Sequence, residues 1–510
     1  MAQEYKIWDW GLQANGLAIL IKMVMESSSP KIVEPIGILG YGIEGKSTAK
    51  YLVEEGFKDI TVFDQKRPAE KDLLCGENNR LKYAEGYLSD LPKMKTVFRS
   101  AGVRADFPEM EIFLKDGGIL TSQTGLAFYL AGRDRIIGIT GTLGKGTCCS
   151  LLKAILDFAK IPSQLGGNIG IPALDLIRSF SKDEFRSPFL ILELSSFQLS
   201  TLSTSPAYAG ILRTTSEHLD WHLSRDEYWL HKSNLVKHQG EKDFLTYCTD
   251  AVGSEWIAQQ GKARKWAYGM AGSSGTRGPA THHTNNLSNN FSNNSQPKVL
   301  IENNSVHWPD YNLKIPLSAT KLTGAFNLEN LAAAGSLALQ LGAKPADIEQ
   351  AAANFSGLEH RLEFIRQMDG ISFYNDSYAT RPDATLGAID ALSAAPLALI
   401  LGGSDKQADF SELAEKIAQS PHIVAIALIG QTADRLAEEL NRAKSYPHST
   451  PIFHPSPALQ KCATLEEAIN FLLSKLKHGS LVLSPACASF GMFENYKERG
   501  KIFKGLVRAL

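Results

Sequence analysis

From Ile36 the chain alternates short runs of β-branched and aliphatic residues with longer stretches whose apolar positions recur at helical spacing. The first run, IGIL, leads through GYGIEGKS into TAKYLVEEG and then ITVFD, the rhythm of parallel strands joined by crossover helices. A second start of the same kind occurs at RIIGITGTLGKGT. A new sheet is therefore expected from about Ile136, with a domain boundary near residue 130. After Gly357 the alternation resumes, with ISFYNDS, PLALILGG, IVAIALIG and SLVLSPA as strand candidates of a third, smaller α/β domain.

Two stretches do not follow this rhythm. Residues 271–296 hold almost no apolar side chains and many Asn, Ser and Gly, so burial cannot offset their ordering entropy. They read as a flexible insertion in a surface loop, and His282 and His283 within it as solvated side chains rather than metal ligands. Residues 1–34 contain one apolar run, Gly16 to Met25, broken by Lys22. That run is too short to span a bilayer and lacks the basic leader and cleavage site of an export signal, so 1–34 read as an N-terminal extension or an upstream start.

Bulk properties narrow the possibilities. A chain of 510 residues exceeds the roughly 250–300 that one core supports, so several domains are needed. With 44% hydrophobic and 21% charged residues and a net charge of −1, no charge-driven partner is indicated, and neither nucleic acid nor membrane is expected as a ligand. The six cysteines, Cys75, Cys148, Cys149, Cys248, Cys462 and Cys487, are too scattered for a disulfide framework or zinc knuckles, which fits a reducing cytoplasm.

The strongest chemical signal is GITGTLGKGT, which follows a β-branched run and opens the helical pattern CCSLLKAILDFAK. In such a loop Gly141, Gly144 and Gly146 let backbone N–H groups wrap phosphate oxygens, the helix start adds partial positive charge, and Lys145 reaches the terminal phosphates. ATP is the expected ligand, the plain alternative being a glycine-rich turn. The hydroxyl that meets magnesium usually follows the lysine directly; here Gly146 stands there and Thr147 comes next. Gly40, Gly42 and Gly45 form a second glycine loop, with Asp64 ending the following strand, which suits a nucleotide-like ligand or simply tight strand–helix packing. Glu193 ends the apolar run LILE, where a carboxylate is costly without a metal or a basic partner. His218 and Asp220 in SEHLDWH, and Lys232 beyond them, are weaker candidates when taken singly.

Taken together, six blocks resemble the Mur ligase superfamily in order and spacing from about residue 35 onward: GYGIEGKS, GTLGKGT with GGNIGIPAL, ELSSFQLS, GAFNLENLAAA, GLEHRLEF with YNDSYATRPDAT, and LGGSDKQADF with LSPACASFGMF. ELSSFQL points to the branch that adds glutamate to UDP-N-acetylmuramoyl-L-alanine. The resemblance implies an α/β fold of three domains: a Rossmann-like domain over 35–130 for the UDP end, a central P-loop ATPase over 131–356, and a C-terminal α/β domain over 357–510 that helps bind ATP and glutamate. It implies ATP and Mg2+ as cofactors and ligation through an acyl phosphate, with closure of the third domain supplying positioning, and a monomer is expected. By the same resemblance Lys145 and Thr147 hold phosphates, Glu193 and His218 serve magnesium, and Lys232 is carbamylated to become a further metal ligand. Asn327 and Asn330 match adenine-side asparagines, and Arg361 and Asp376 match ribose and phosphate contacts. Gly42, Asn168, Ser195 and Gln198 would face the UDP-muramoyl substrate, and Thr380, Lys406, Ser489 and Phe490 the glutamate.

Three positions depart from the branch's usual pattern. Gly146 replaces Ser or Thr, as in folylpolyglutamate synthetases; Phe326 stands where GxHN has histidine; and Tyr378 takes the place of a lysine, with Arg381 close behind. The exchange of cations leaves D- and L-glutamate both open as substrates. A folylpolyglutamate synthetase would share the P-loop variant but leaves ELSSFQL and LSPACASF unexplained, and a non-catalytic nucleotide-binding paralogue is the alternative outside enzymes.

Overall fold

The computed structural model describes residues 32–69, 73, 81–168, 170–179, 188–215, 221–271, 297–405, 407–445 and 456–510. Among these residues the chain builds three sheets. The first contains β1 (Ile36–Leu39), β2 (Ile60–Phe63), β3 (Lys82–Tyr83), β4 (Thr96–Arg99) and β5 (Ile119–Thr121), all parallel, in the order β3-β2-β1-β4-β5. β1 thus stands at a reversal of strand order, where open α/β sheets leave a crevice beyond the strand ends.

The second sheet contains β6 (Ile136–Thr140), β7 (Ser163–Gly167), β8 (Phe189–Glu193), β9 (Tyr208–Ile211), β10 (Phe244–Cys248), β11 (Arg264–Met270), β12 (Val299–Glu302), β13 (Ser305–Trp308) and β14 (Leu313–Pro316). Their order is β14-β13-β12-β11-β10-β9-β6-β8-β7, with β12 and β13 antiparallel and the strands from β7 to β12 parallel. β6 lies between β8 and β9, and Ile139 is level with both Glu193 and Gly210. The loops that leave these three strands therefore open side by side at the carboxyl ends. The third sheet holds β15 (Glu363–Met368), β16 (Ile371–Asn375), β17 (Leu397–Gly402), β18 (Ile423–Ile429), β19 (Ala458–Cys462) and β20 (Gly479–Leu483) in the order β15-β16-β20-β17-β18-β19. Its edge pair β15–β16 is antiparallel and the rest parallel.

The apolar runs of the sequence became strands because parallel strands are covered on both faces. β6 and β17 are buried at every position. One apolar cluster joins Ile36 and Ile38 of β1 to Leu190 and Leu192 of β8. With that shared core the first two sheets fall in one compact unit, up to Lys314 together with Glu329–Ala351, while Ile315–Leu328 and Ala352–Leu510 form the other. The third sheet has its own core on each face, Leu399, Leu401 and Ile426 on one side and Ile400, Ala427 and Phe503 on the other.

Among the described residues no helix is long and apolar enough to cross a membrane. The five described cysteines are buried and form no disulfide. Cys75, His218, Asp220, His282, His283 and Lys406 lie outside the described residues, as do 1–31 and 272–296.

Candidate nucleotide and ligation site

The P-loop leaves the end of β6 and enters the helix Lys145–Phe158, whose N-terminus no side chain caps. Uncapped first-turn amides are the groups an anion satisfies. Two glycines are required by geometry. Gly141 would place a Cβ 2.7 Å from Leu212 Cβ, and Gly144, at φ +84°, would place one 2.3 Å from Asn330 Oδ1. Lys145 Nζ lies back over the loop, donating to the carbonyls of Gly141 at 2.9 Å and Thr142 at 2.8 Å. Gly146 and Thr147 are buried in the first turn of the helix.

Glu193 ends β8 beside this loop and is 2% exposed. Its Oε1 accepts from Asn168 Nδ2 at 2.9 Å, while Oε2 is buried with no hydrogen-bond partner among the described residues. A buried carboxylate oxygen left over in this way fits a magnesium ligand, since an uncompensated buried charge is strongly unfavourable. Lys232, on the helix Arg225–Ser233, is buried under the loop. Its Nζ donates to Thr140 Oγ1 and to the Gly141 carbonyl, both at 3.0 Å, and lies 4.7 Å from the centre of the Tyr228 ring. The Tyr228 hydroxyl meets Thr142 Oγ1 at 3.1 Å. Lys145, Thr147, Glu193 and Lys232 thus gather at the ends of β6 and β8. Asn330 reaches the same loop from the helix Phe326–Gln340.

The glycine loop after β1 shows two kinds of glycine. Gly40 and Gly45 are held by packing, because a Cβ would meet Val103 at 2.7 Å or the Gly40 carbonyl at 2.1 Å, whereas one at Gly42 would meet nothing within 4 Å. Asp64 is engaged by this loop, accepting from the Tyr41 amide at 2.7 Å and from the Lys66 amide at 2.9 Å. Ser195 and Gln198 form a capping box at the start of the short helix Ser196–Leu199. Gln198 Nε2 also donates to Glu44 Oε1 at 2.7 Å, linking ELSSFQLS to GYGIEG. Asn168, matched by sequence to the sugar substrate, donates from Nδ2 to Glu193 and so orients that carboxylate.

The sequence reading missed Arg99, which ends β4 and is buried. It donates to the Phe197 carbonyl at 2.9 Å and to Ser200 Oγ at 2.6 Å, and burial pushes its pKa down to about 10. It also missed Arg213, just beyond β9, whose guanidinium meets Glu329. Both carry the signal that exposed Glu193, a charge at the end of an apolar strand.

In the second unit Asn327 Nδ2 donates to the Thr323 carbonyl at 2.8 Å. Arg361 lies over the Tyr378 ring, with Cζ 3.9 Å from its centre. Asp376 is buried, accepting from the Leu362 amide at 3.0 Å and from Ser484 Oγ at 2.7 Å. Burial raises its pKa to about 7. Thr380 is half-buried beside exposed Arg381, which pairs with Asp383 at 3.3 Å; Ser489 is buried and Phe490 exposed. Arg499, also missed from sequence, joins these segments: it donates to Ser377 Oγ at 3.0 Å, to the Ser377 carbonyl at 2.8 Å and to the Cys487 carbonyl at 3.0 Å.

Comparison with known proteins identifies the family. Residues 139–338 match the Mur ligase middle domain and residues 360–486 the Mur ligase glutamate ligase domain. A UDP-N-acetylmuramoylalanine–D-glutamate ligase of Symbiobacterium thermophilum is 30% identical over 488 residues, covering 94% of this chain and 99% of the relative. One from Clostridium kluyveri is 32% identical over 480 residues, covering 92% and 96%. Among solved structures, a MurF ligase from Thermotoga maritima in complex with ADP shares the fold at a TM-score of 0.53 and 15% identity, covering 96% of this chain and 99% of its own. With both catalytic-domain types in sequence and relatives aligned along nearly its whole length, the chain belongs to the Mur ligase family, in the UDP-N-acetylmuramoylalanine–D-glutamate ligase branch.

Proposed function

We propose that the chain uses ATP to join D-glutamate to the carboxyl group of UDP-N-acetylmuramoyl-L-alanine, a step in peptidoglycan precursor synthesis that its nucleotide substrates assign to the cytoplasm. The observation that carries this reading is the meeting, at adjacent strand ends, of an uncapped glycine-rich helix start bearing Lys145 with the buried carboxylate of Glu193. The ADP in the Thermotoga maritima structure and the D-glutamate in the relatives' names support the choice of ligands.

A carboxylate is a poor electrophile and ATP is highly anionic, so charge must be screened before the two can react. Lys145 turns from the loop carbonyls to the terminal phosphates. Thr147 and Glu193, with His218 and a carbamylated Lys232, would hold Mg2+, which supplies further positive charge at the transferring phosphoryl group. Asn168 keeps Glu193 in place. The substrate carboxylate oxygen then attacks the γ-phosphorus, the bond to the ADP oxygen breaks, and an acyl phosphate forms. The deprotonated amine of glutamate attacks its carbonyl, and phosphate leaves with one oxygen of the original carboxylate. Asn327 and Asn330 are assigned to adenine, Arg361 and Asp376 to ribose and phosphate, and Gly42, Asn168, Ser195 and Gln198 to the UDP-muramoyl end. Thr380, Lys406, Ser489 and Phe490 are assigned to glutamate.

With Tyr378 under Arg361 and Arg381 paired to Asp383, the loop assigned to glutamate carries different cations from the branch's usual pattern, and L-glutamate is kept as the second reading. Incubation of the purified chain with ATP, Mg2+, UDP-N-acetylmuramoyl-L-alanine and either enantiomer tests both. The expected result is a mass gain of one glutamyl residue with the D form; a product with the L form alone would overturn the D assignment.

A further inference from the structure

Arg213 contributes to the P-loop wall with its backbone and to a neighbouring helix with its side chain. Its carbonyl accepts from the Thr142 amide at 2.9 Å. Its guanidinium meets the Glu329 carboxylate at 2.5 Å through Nη2 and at 3.2 Å through Nε, and Nη1 donates to the Asp250 carbonyl at 3.0 Å. Glu329 adjoins Asn330, whose Oδ1 lies 2.3 Å from the place of a Cβ on Gly144. One ion pair therefore stands between the glycine loop and the helix that carries Asn330.

We propose that the Arg213–Glu329 pair is a positioning device of the nucleotide site, setting Asn330 and the P-loop at the separation that one nucleotide requires. This rests on the ATP-binding part of the function proposed above. The fork of a guanidinium on a carboxylate fixes both distance and angle, which a point charge does not. The pair is half-buried, with side-chain exposures of 38% for Arg213 and 18% for Glu329. Burial alone would lower the arginine pKa, but the hydrogen bonds and charge of Glu329 raise it above the usual value, so Arg213 stays charged throughout. The Asp250 carboxylate lies 3.9 Å from Nη2, and Cys248 Sγ 3.8 Å from Glu329. Without Arg213, Glu329 and Asp250 would face one another with no cation between them, and the helix would shift away from the loop.

The test is ADP affinity by titration calorimetry on the full chain, together with ligation kinetics. Arg213→Met and Glu329→Gln should each weaken ADP binding about tenfold, because removing one partner of a half-buried bidentate pair leaves the other charge or donor unmatched. The double variant Arg213→Met/Glu329→Gln should be no worse than the poorer single. Arg213→Lys should raise KM for ATP while leaving kcat at saturating ATP and KM for UDP-N-acetylmuramoyl-L-alanine near wild type. Lys314→Ala, which removes an exposed pair with Glu302, serves as control and should leave ADP affinity unchanged. If Arg213→Met does not fold, Glu329→Gln and Arg213→Lys decide the matter. Folded single variants that bind ADP like wild type, or losses that simply add in the double variant, would overturn the proposal. A wild-type chain that binds ADP but ligates nothing would sink the proposed ligation and leave this inference standing.

Discussion

Replacing Asp376 with asparagine should make the loop after β16 more stable at neutral pH and the enzyme less active. Asp376 is 8% exposed, and burial raises its pKa from 3.8 to about 7 despite hydrogen bonds from the Leu362 amide and Ser484 and the charges of Arg361 and Arg499. A raised acid pKa means that the folded state holds the proton more tightly than the unfolded one. The favourable contribution is therefore complete below about pH 4 and is lost as pH rises through about 7. A shift of about 3 units corresponds to about 4 kcal/mol, of which roughly 2.5 kcal/mol falls between pH 5 and pH 7. Asparagine keeps the shape and carries no charge, so the variant lacks this slope. Amide hydrogen exchange over residues 360–378, corrected for the intrinsic pH dependence and read by mass spectrometry, measures the local opening free energy directly. Wild type should lose protection relative to Asp376→Asn across that range, and ADP formation should fall in the variant at every pH. Parallel protection curves for the two proteins would mean that the Asp376 proton is held no more tightly in the folded state than in the unfolded one.

Lys145→Ala should lower ADP formation at least about a thousandfold, because a cation aimed at transferring phosphate is lost, while circular dichroism stays that of the wild type. Glu193→Gln keeps an acceptor for Asn168 but removes the anionic oxygen left over in the buried site. The Mg2+ concentration for half-maximal rate should rise about tenfold or more, and an unchanged magnesium dependence would remove Glu193 from the metal site. Lys232→Ala should depress activity, with partial recovery on adding short carboxylates such as acetate. Magnesium-dependent kinetics equal to wild type in that variant would eliminate the carbamate.

The strands were legible because parallel strands covered on both faces read as unbroken apolar runs, as in ITVF, IIGIT and LALILG. Strand order was not, since the neighbours of β6 are set by crossovers and not by any local pattern. Nor was the core that β1 shares with β8, because periodicity reports which face is apolar and not what covers it. Within the site, Glu193 stood out as a carboxylate ending an apolar strand. Arg99 ends β4 in the same way and Arg213 follows β9 by two residues, but their partners lie 116 and 98 residues away for Arg213 and Arg99 respectively, so the sequence showed the charges without the pairings. Asn168 shows what geometry adds: the motif match assigned it to the sugar substrate, and its Nδ2 also donates to Glu193, a contact that no local pattern displays.

Ligation through an acyl phosphate requires that a carboxyl group is first phosphorylated and then aminolysed. UDP-N-acetylmuramoyl-L-alanine labelled with 18O in its alanyl carboxylate, incubated with ATP, Mg2+ and D-glutamate, tests this through mass analysis of the phosphate released. Each phosphate formed should carry one labelled oxygen, in step with the new amide. Amide formed alongside unlabelled phosphate would contradict the acyl-phosphate route.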